Sequence, residues 1–306
     1  MKVKFWGVRG SIACPGPKTV YYGGNTSCIE LYFEKADRLI IIDAGSGIRP
    51  LGHDLKKRTL SKKGLKADIF LSHTHWDHIM GFPFFDPIYL PGTELNIYGP
   101  VTYEEETLEK IIGAQLSYRY FPVRHSELAS TLRYHQLKEC EIDLGDGIHL
   151  KTKFLNHTLQ CLGYRFEYQG KSLCTAFDTE PFHNLFAMPA NSPDYDPYAV
   201  AEGKKAADEE NRRIVAFCLG ADMLIHDAQY SEEEYETDKR GWGHSSFEHA
   251  IATGTFAKVK KLYLFHHDPA RSDKDLATVE HKWRKKSPGD NRPDIYVAKE
   301  GATVEL

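Results

Sequence analysis

The run His73-Thr74-His75-Trp76-Asp77-His78 constrains this chain more than any other feature. It packs three imidazoles and a carboxylate into six residues, directly after the apolar stretch Ile69-Phe70-Leu71. An isolated His-x-His is commonly a solvated turn or a pair of hydrogen-bonded core histidines. Four ligand groups crowded at the end of a strand-like segment instead match where α/β proteins build their sites. Imidazole suits zinc, iron and other borderline metals, and a carboxylate beside it suits a second ion or the orientation of a water.

One turn cannot complete such a site, so further ligands must come from elsewhere, and the same pattern recurs downstream. His157 follows Phe154-Leu155-Asn156, and Asp178 follows Leu173-Cys174-Thr175-Ala176-Phe177. His226-Asp227 closes Met223-Leu224-Ile225, and His266-His267-Asp268-Pro269 closes Leu262-Tyr263-Leu264-Phe265. Each of these residues alone could cap a helix or satisfy a backbone amide. Together they imply one edge of a sheet assembly collecting ligands from several strand ends. Adjacent strand residues point to opposite faces, so one of His266 and His267 is expected to reach the metal.

Short β patterns occur at 3–5, 27–33, 39–42, 69–71, 95–98, 150–154, 162–168, 171–176, 223–225, 262–265 and 295–297. Helical spacing occurs at 51–60, 103–118, 198–214, 246–257 and 273–286. The mixture predicts an α/β protein with more than one sheet. Neither Gly7-Val8-Arg9-Gly10 nor Gly45-Ser46-Gly47 has the spacing of a phosphate-binding loop or dinucleotide fingerprint, so these glycines read as sharp turns carrying backbone near the site. Asp43 reads either as a carboxylate orienting a ligand histidine or as a strand-end turn residue.

His73-Thr-His75-Trp-Asp77-His78, His157, Asp178 within Phe-Asp-Thr and His266 within Leu-Phe-His-His-Asp-Pro resemble, in order and spacing, the metallo-beta-lactamase fold family across roughly residues 3 to 270. The resemblance implies a four-layer αββα sandwich, two mixed sheets face to face with outer helices, holding two divalent metal ions at the shared sheet edge with a hydroxide between them. It implies His73, His75 and His157 as ligands of one ion, Asp77, His78 and His266 of the other, and Asp178 as the bridge. Zn2+ is the expected ion, with Mn2+ or Fe2+ as alternatives.

Within that family the chain is more similar to the ribonuclease Z and phosphodiesterase branch than to the antibiotic-hydrolysing branch, which in its best-known classes carries a cysteine ligand where Asp178 stands here. His226-Asp227-Ala228-Gln229-Tyr230 followed by Gly243-His244-Ser245-Ser246 is similar to a family segment in which a histidine sits by the scissile phosphate. The resemblance makes His244, held by Asp227, a candidate to hydrogen-bond a non-bridging oxygen or to protonate the leaving alkoxide, alongside Asp77 and Asp178 as catalytic residues. A competing role for this segment is a helix start capped by Ser245 or Ser246, with Glu248 completing a capping box. The expected reaction is phosphodiester hydrolysis in a small nucleotide such as a cyclic nucleotide. An RNA-processing endonuclease of the ribonuclease Z kind, a thioester or lactone hydrolase, and a non-catalytic binding member are the alternatives.

Composition narrows the setting. At 306 residues, 41% apolar, 27% charged and net charge −4, the chain reads as one soluble, cytoplasmic metallo-hydrolase domain, with insertions expected near 103–140 and 180–213. No apolar run has the length of a membrane span or signal peptide, and six scattered cysteines read as reduced, mostly buried thiols. The basic pieces at 56–58, 62–63 and 282–286 are short and read as solvated faces, which makes a nucleic-acid partner the less favoured expectation. The stretch 82–91 reads as core or as a stacking wall for a base, and apolar residues in 103–123 suggest a homodimer contact.

Overall fold

The runs of β-branched and leucine residues form two seven-stranded sheets. The computed structural model describes residues 1–59, 64–102, 106–284 and 291–306. In the first sheet lie β1 (Lys2–Gly7), β2 (Cys28–Phe33), β3 (Arg38–Ile42), β4 (Lys66–Phe70), β5 (Glu94–Pro100) and β6 (Thr131–Leu137). The second holds β7 (Glu141–Asp143), β8 (Ile148–Leu155), β9 (Cys161–Tyr168), β10 (Lys171–Ala176), β11 (Met223–Asp227), β12 (Lys261–Phe265) and β13 (Asp294–Val297), and β14 (Thr303–Glu305) returns to pair antiparallel with β1. The spatial orders are β14-β1-β2-β3-β4-β5-β6 and β13-β12-β11-β10-β9-β8-β7. From β3 to β6 and from β10 to β13 neighbours run parallel, and elsewhere they are antiparallel.

Alternation along the strands explains the layering. On β3, Ile40 and Ile42 enter the core between the sheets while Leu39 and Ile41 enter the outer one, so the strand is apolar from Leu39 to Ile42. On β11, Met223 and Ile225 face the partner sheet and Leu224 faces outward. Helices α1 (Ile48–Thr59) and α3 (Leu108–Ala114) contribute to the outer core of the first sheet, and between them α2 (Trp76–Ile79) is one turn. Helices α4 (Pro197–Cys218), α6 (Phe247–Phe256) and α7 (Asp273–Arg284) cover the second sheet, with the one-turn α5 (Glu232–Glu234) before α6. The result is the four-layer αββα sandwich that the resemblance implies.

Local departures from the sequence expectations have physical causes. The helical spacing at 103–118 yields a helix over Leu108–Ala114, with residues 103–105 outside the described residues. Helix α6 is capped by Ser246, whose hydroxyl accepts from the His249 amide, so the third helical position is histidine and the capping box with Glu248 does not form. Phe82 and Phe85 are buried in the outer core rather than walling a pocket, while Phe84 is exposed and packs edge-on against Phe121. Lys56 and Arg58 pair with Asp86, Glu30 and Asp54, and Lys282 and Arg284 with Glu248 and Glu280, as expected of solvated faces. Leu60, Lys62, Lys63, Lys285 and Lys286 lie outside the described residues. The six cysteines are free, four of them buried.

Candidate metal centre

Parallel strands end together, and the turns after β4, β10, β11 and β12 deliver the functional side chains to one edge. His73 and His75 leave β4 just before α2, which carries Asp77 and His78 on its single turn. His75 occupies the N-cap position of α2 without a side-chain capping bond, so its ring is free for other work. Asp178 follows β10 and His266 follows β12, both with positive φ (30° and 61°), and Asp43 after β3 is also left-handed (61°). Three non-glycine residues held in this sparsely allowed region at one sheet edge mark a spot where geometry takes precedence over local comfort.

The side chains converge in two groups that share one carboxylate. The potential ligand atoms of His73, His75, His157 and Asp178 lie within 4.8 Å of one another, and so do those of Asp77, His78, Asp178 and His266. Asp178 reaches His73 on one side at 3.5 Å and both His78 and His266 on the other at 3.2 and 3.3 Å. His267, by contrast, turns away and its Nε2 donates to the Ala298 carbonyl at 2.9 Å, so His266 is the residue that faces the cluster.

The surrounding hydrogen bonds fit a metal pair. His78 Nδ1 donates to Asp43 at 2.6 Å, His157 Nδ1 to the Gly243 carbonyl at 2.8 Å, and His266 Nδ1 to Gln229 Oε1 at 3.1 Å. With Nδ1 engaged, each ring turns Nε2 inward, the arrangement that orients histidine ligands. His78 and His266 consequently oppose their Nε2 atoms at 3.3 Å, and His73 Nε2 and Asp178 Oδ1 are buried without a hydrogen-bond partner. Buried polar atoms that converge without partners call for an ion, and this nitrogen-rich, carboxylate-bridged donor set is chemically suited to divalent ions.

Electrostatics agree. Burial, reinforced by the neighbouring histidines and outweighing the pull of Asp178, lowers the affinity of His73, His75 and His157 for a proton, which leaves them as neutral ligands. Burial opposes ionisation of Asp178 and Asp77, yet the facing histidines outweigh it and hold both carboxyls well below the usual range. In His78 burial is outweighed by Asp178, Asp77 and Asp43, which keep the ring protonated in the ion-free chain; an incoming cation displaces such a proton.

A second pair abuts the cluster. His244 Nδ1 lies 2.9 Å from Asp227 Oδ2, and the His244 ring stacks on His266 with centroids 4.8 Å apart. Burial disfavours the charged ring, but Asp227, then Asp178 and Asp77, push its pKa up to about 9. Asp227 is itself fixed by the Thr179 amide at 3.1 Å.

Every candidate site residue read from the sequence therefore lies at this edge, and several supports emerge that the sequence did not single out. Ser27 and Ser72 anchor Asp43, the Ser11 amide donates to Asp77 at 2.7 Å, and Glu180 accepts from the Gly241 and Gly243 amides at 2.7 Å each. Glycine identity matters at two points. A Cβ at Gly10 would stand 2.2 Å from the His266 ring, and one at Gly243 (φ 82°) would stand 2.4 Å from His157 Nδ1. The Gly241-Trp242-Gly243-His244 run directly before Ser245 was the available signal for the latter.

Comparison with known proteins supports this reading. No protein-family profile matches the chain. Ribonuclease Z of Lactococcus lactis is 26% identical over 273 residues, covering 79% of this chain and 83% of that protein. Ribonuclease Z of Streptococcus pneumoniae is 25% identical, covering 92% and 94%. The metallo-beta-lactamase fold protein YhfI from Bacillus subtilis superposes with a TM-score of 0.64 at 16% identity, over 99% of this chain and 98% of that one. The short form of human tRNase Z gives 0.61 at 18% identity, over 100% and 99%. Two ligand clusters sharing Asp178 on this fold support a metal-dependent hydrolase, and the chain is a metallo-beta-lactamase fold protein with homology to the ribonuclease Z enzymes.

Proposed function

We propose that this chain is a dinuclear phosphodiesterase in which His73, His75 and His157 hold one ion, Asp77, His78 and His266 hold the other, and Asp178 bridges them. Zinc suits the donor set best, with manganese and iron as alternatives. When bound, two divalent ions supply Lewis acidity toward phosphoryl oxygens and make water nucleophilic near neutral pH. The observation that carries the phosphodiester reading is the His244–Asp227 pair beside the cluster. Asp227 accepts a hydrogen bond from Nδ1–H and fixes the ring, so His244 donates its Nε2 proton to the departing oxygen. Asp227 stays charged and holds the imidazolium, as a carboxylate partner does for other catalytic histidines.

Among phosphodiesters, RNA cut by an endonuclease of the ribonuclease Z kind has the stronger support, because the sequence relatives carry that name. A small diester such as a cyclic nucleotide is the second reading, and one observation favours it. A cleft of about 640 Å³ beside the outer ligands is lined by residues including Thr74, Ile111, Phe154, His157 and Leu159, with Glu106 its acidic member and no Lys or Arg among the described lining residues. A polyanion gains from basic contacts, whereas a single diester needs few beyond the ions. Parallel assays of purified, metal-loaded protein on bis(p-nitrophenyl) phosphate, a precursor transfer RNA and a 3′,5′-cyclic nucleotide test both. Diester turnover with preference for RNA supports the first reading, and preference for the cyclic nucleotide supports the second. Two bound ions without diester turnover would move the assignment to thioester or lactone hydrolysis.

A further inference from the structure

On the outer face of the second sheet lies a cavity of about 560 Å³ between α4 and α6 that the metal chemistry does not use. Ile214, Val215, Ala252 and Phe256 supply apolar walls, and two histidines, His226 and His249, line the same space. Strand alternation explains their presence: Asp227 turns to the metal edge, so its neighbour His226 turns to the helices. His226 is fully buried, its Nδ1 donates to the Asp227 carbonyl at 2.7 Å, and its Nε2 has no hydrogen-bond partner. With the proton on Nδ1, Nε2 presents a lone pair. Native proteins rarely leave such an acceptor unanswered. The His249 ring stands edge-on 5.9 Å from His226, and burial holds it neutral with a pKa of about 3, so the histidines add no charge. Of the α4 residues that also line the cavity, Arg212 is paired with Glu209, and Asp208 and Asn211 are the other polar members.

We infer that this cavity binds a small, largely apolar molecule bearing one O–H or N–H group, which donates to Nε2 of His226. The position is also wired to the metal edge. Thr179 and Glu180 line the cavity, and they are the residues whose amide and carboxylate hold Asp227 and the Gly241–Gly243 turn. An occupant therefore touches the supports of His244 and His157 from behind, and binding is independent of which ester the metal edge hydrolyses.

Saturation-transfer NMR on the full, metal-loaded chain tests this with phenol and benzene as probes. Phenol is expected to bind about tenfold more tightly than benzene, the worth of one net hydrogen bond. Ala252→Phe, which fills the cavity, should remove phenol binding while leaving bis(p-nitrophenyl) phosphate turnover intact, and His226→Phe should bring phenol down to the benzene level. Absence of phenol binding to the wild type, equal affinity for phenol and benzene, or undiminished phenol binding by Ala252→Phe would each overturn the inference. The comparison of phenol with benzene on the wild type keeps the test decisive even if His226→Phe fails to fold.

Discussion

The two ligand groups that share Asp178 are built differently. Asp77, His78, Asp178 and His266 are all buried, and each of the first, second and fourth has its own anchor: the Ser11 amide, Asp43 and Gln229. In the other group His73 and the ring of His157 are buried, but His75 is only partly so, and Trp76 beside it is exposed. His157 leans on the carbonyl of Gly243 in a turn, and His75 rests against His157 at 3.1 Å. One half-site is thus a fixture of the core, and the other borders the cleft lined by Thr74 and His157. The difference teaches that a dinuclear centre can combine a structural ion, held by a preorganised shell, with a working ion open to solvent and substrate.

The largest expected effect comes from the residue that belongs to both halves. Asp178→Ala should lower metal content from about two ions to less than one and bring diester turnover to background, as read by elemental analysis and hydrolysis of bis(p-nitrophenyl) phosphate. Retention of two ions would break the idea of a shared bridge. Next, His244→Gln should leave metal content unchanged but slow hydrolysis of an alkyl diester by about 10²- to 10⁴-fold, with a smaller loss for p-nitrophenyl esters, whose leaving group departs unprotonated. The sign of the pH dependence follows: a raised histidine pKa keeps the acid form present below it, so alkyl diester turnover should fall as pH rises toward about 9. Bound cations bring that fall to lower pH.

Asp43→Ala tests chiefly the inner half, built on Asp77, His78 and His266, because its shortest bond is to His78. It should weaken one ion by about 10- to 100-fold, measured by competition with a chelating dye, while the other ion holds. Gly243→Ala tests the outer half, built on His73, His75 and His157, through its bond to His157. The added methyl meets the His157 ring at a residue with φ 82°, so the outer ion should weaken and thermal unfolding should report a loss of about 1 kcal/mol or more. If either variant affected both ions equally, the contrast between the halves would be blunted.

Much of this edge was legible in the sequence because its ligands sit at the ends of apolar strands. The pattern at 171–176 matches β10, and Ile69-Phe70-Leu71 marks the end of β4 that leads to His73. The polar strands escaped. Thr131–Leu137 reads Thr-Leu-Arg-Tyr-His-Gln-Leu and sits at a sheet edge, where one side faces solvent and the apolar signal thins. Glu141–Asp143 and Thr303–Glu305 are three-residue edge strands with the same difficulty. In the site, Asp43 was visible as an ambiguous turn carboxylate, but its bond to His78 joins residues 35 apart in sequence, a contact that only the parallel β3–β4 pairing creates. Glu180 was hidden for a similar reason, since its partners Gly241 and Gly243 arrive some 61 and 63 residues later. Residue types alone left His266 and His267 open and the family resemblance pointed to His266; the left-handed backbone that turns it to the cluster is announced by no local propensity.

Stepwise chelation tests the central claim most directly. Metal-loaded protein is dialysed against increasing concentrations of a chelator, and ions per chain are counted at each step by elemental analysis together with diester turnover. A plateau at one ion per chain, with turnover already lost and restored by adding metal back, is the predicted result, and in His157→Ala the chain should start at that plateau. Loss of both ions in a single step, or one ion with full turnover, would contradict a buried structural ion paired with an exchangeable working one.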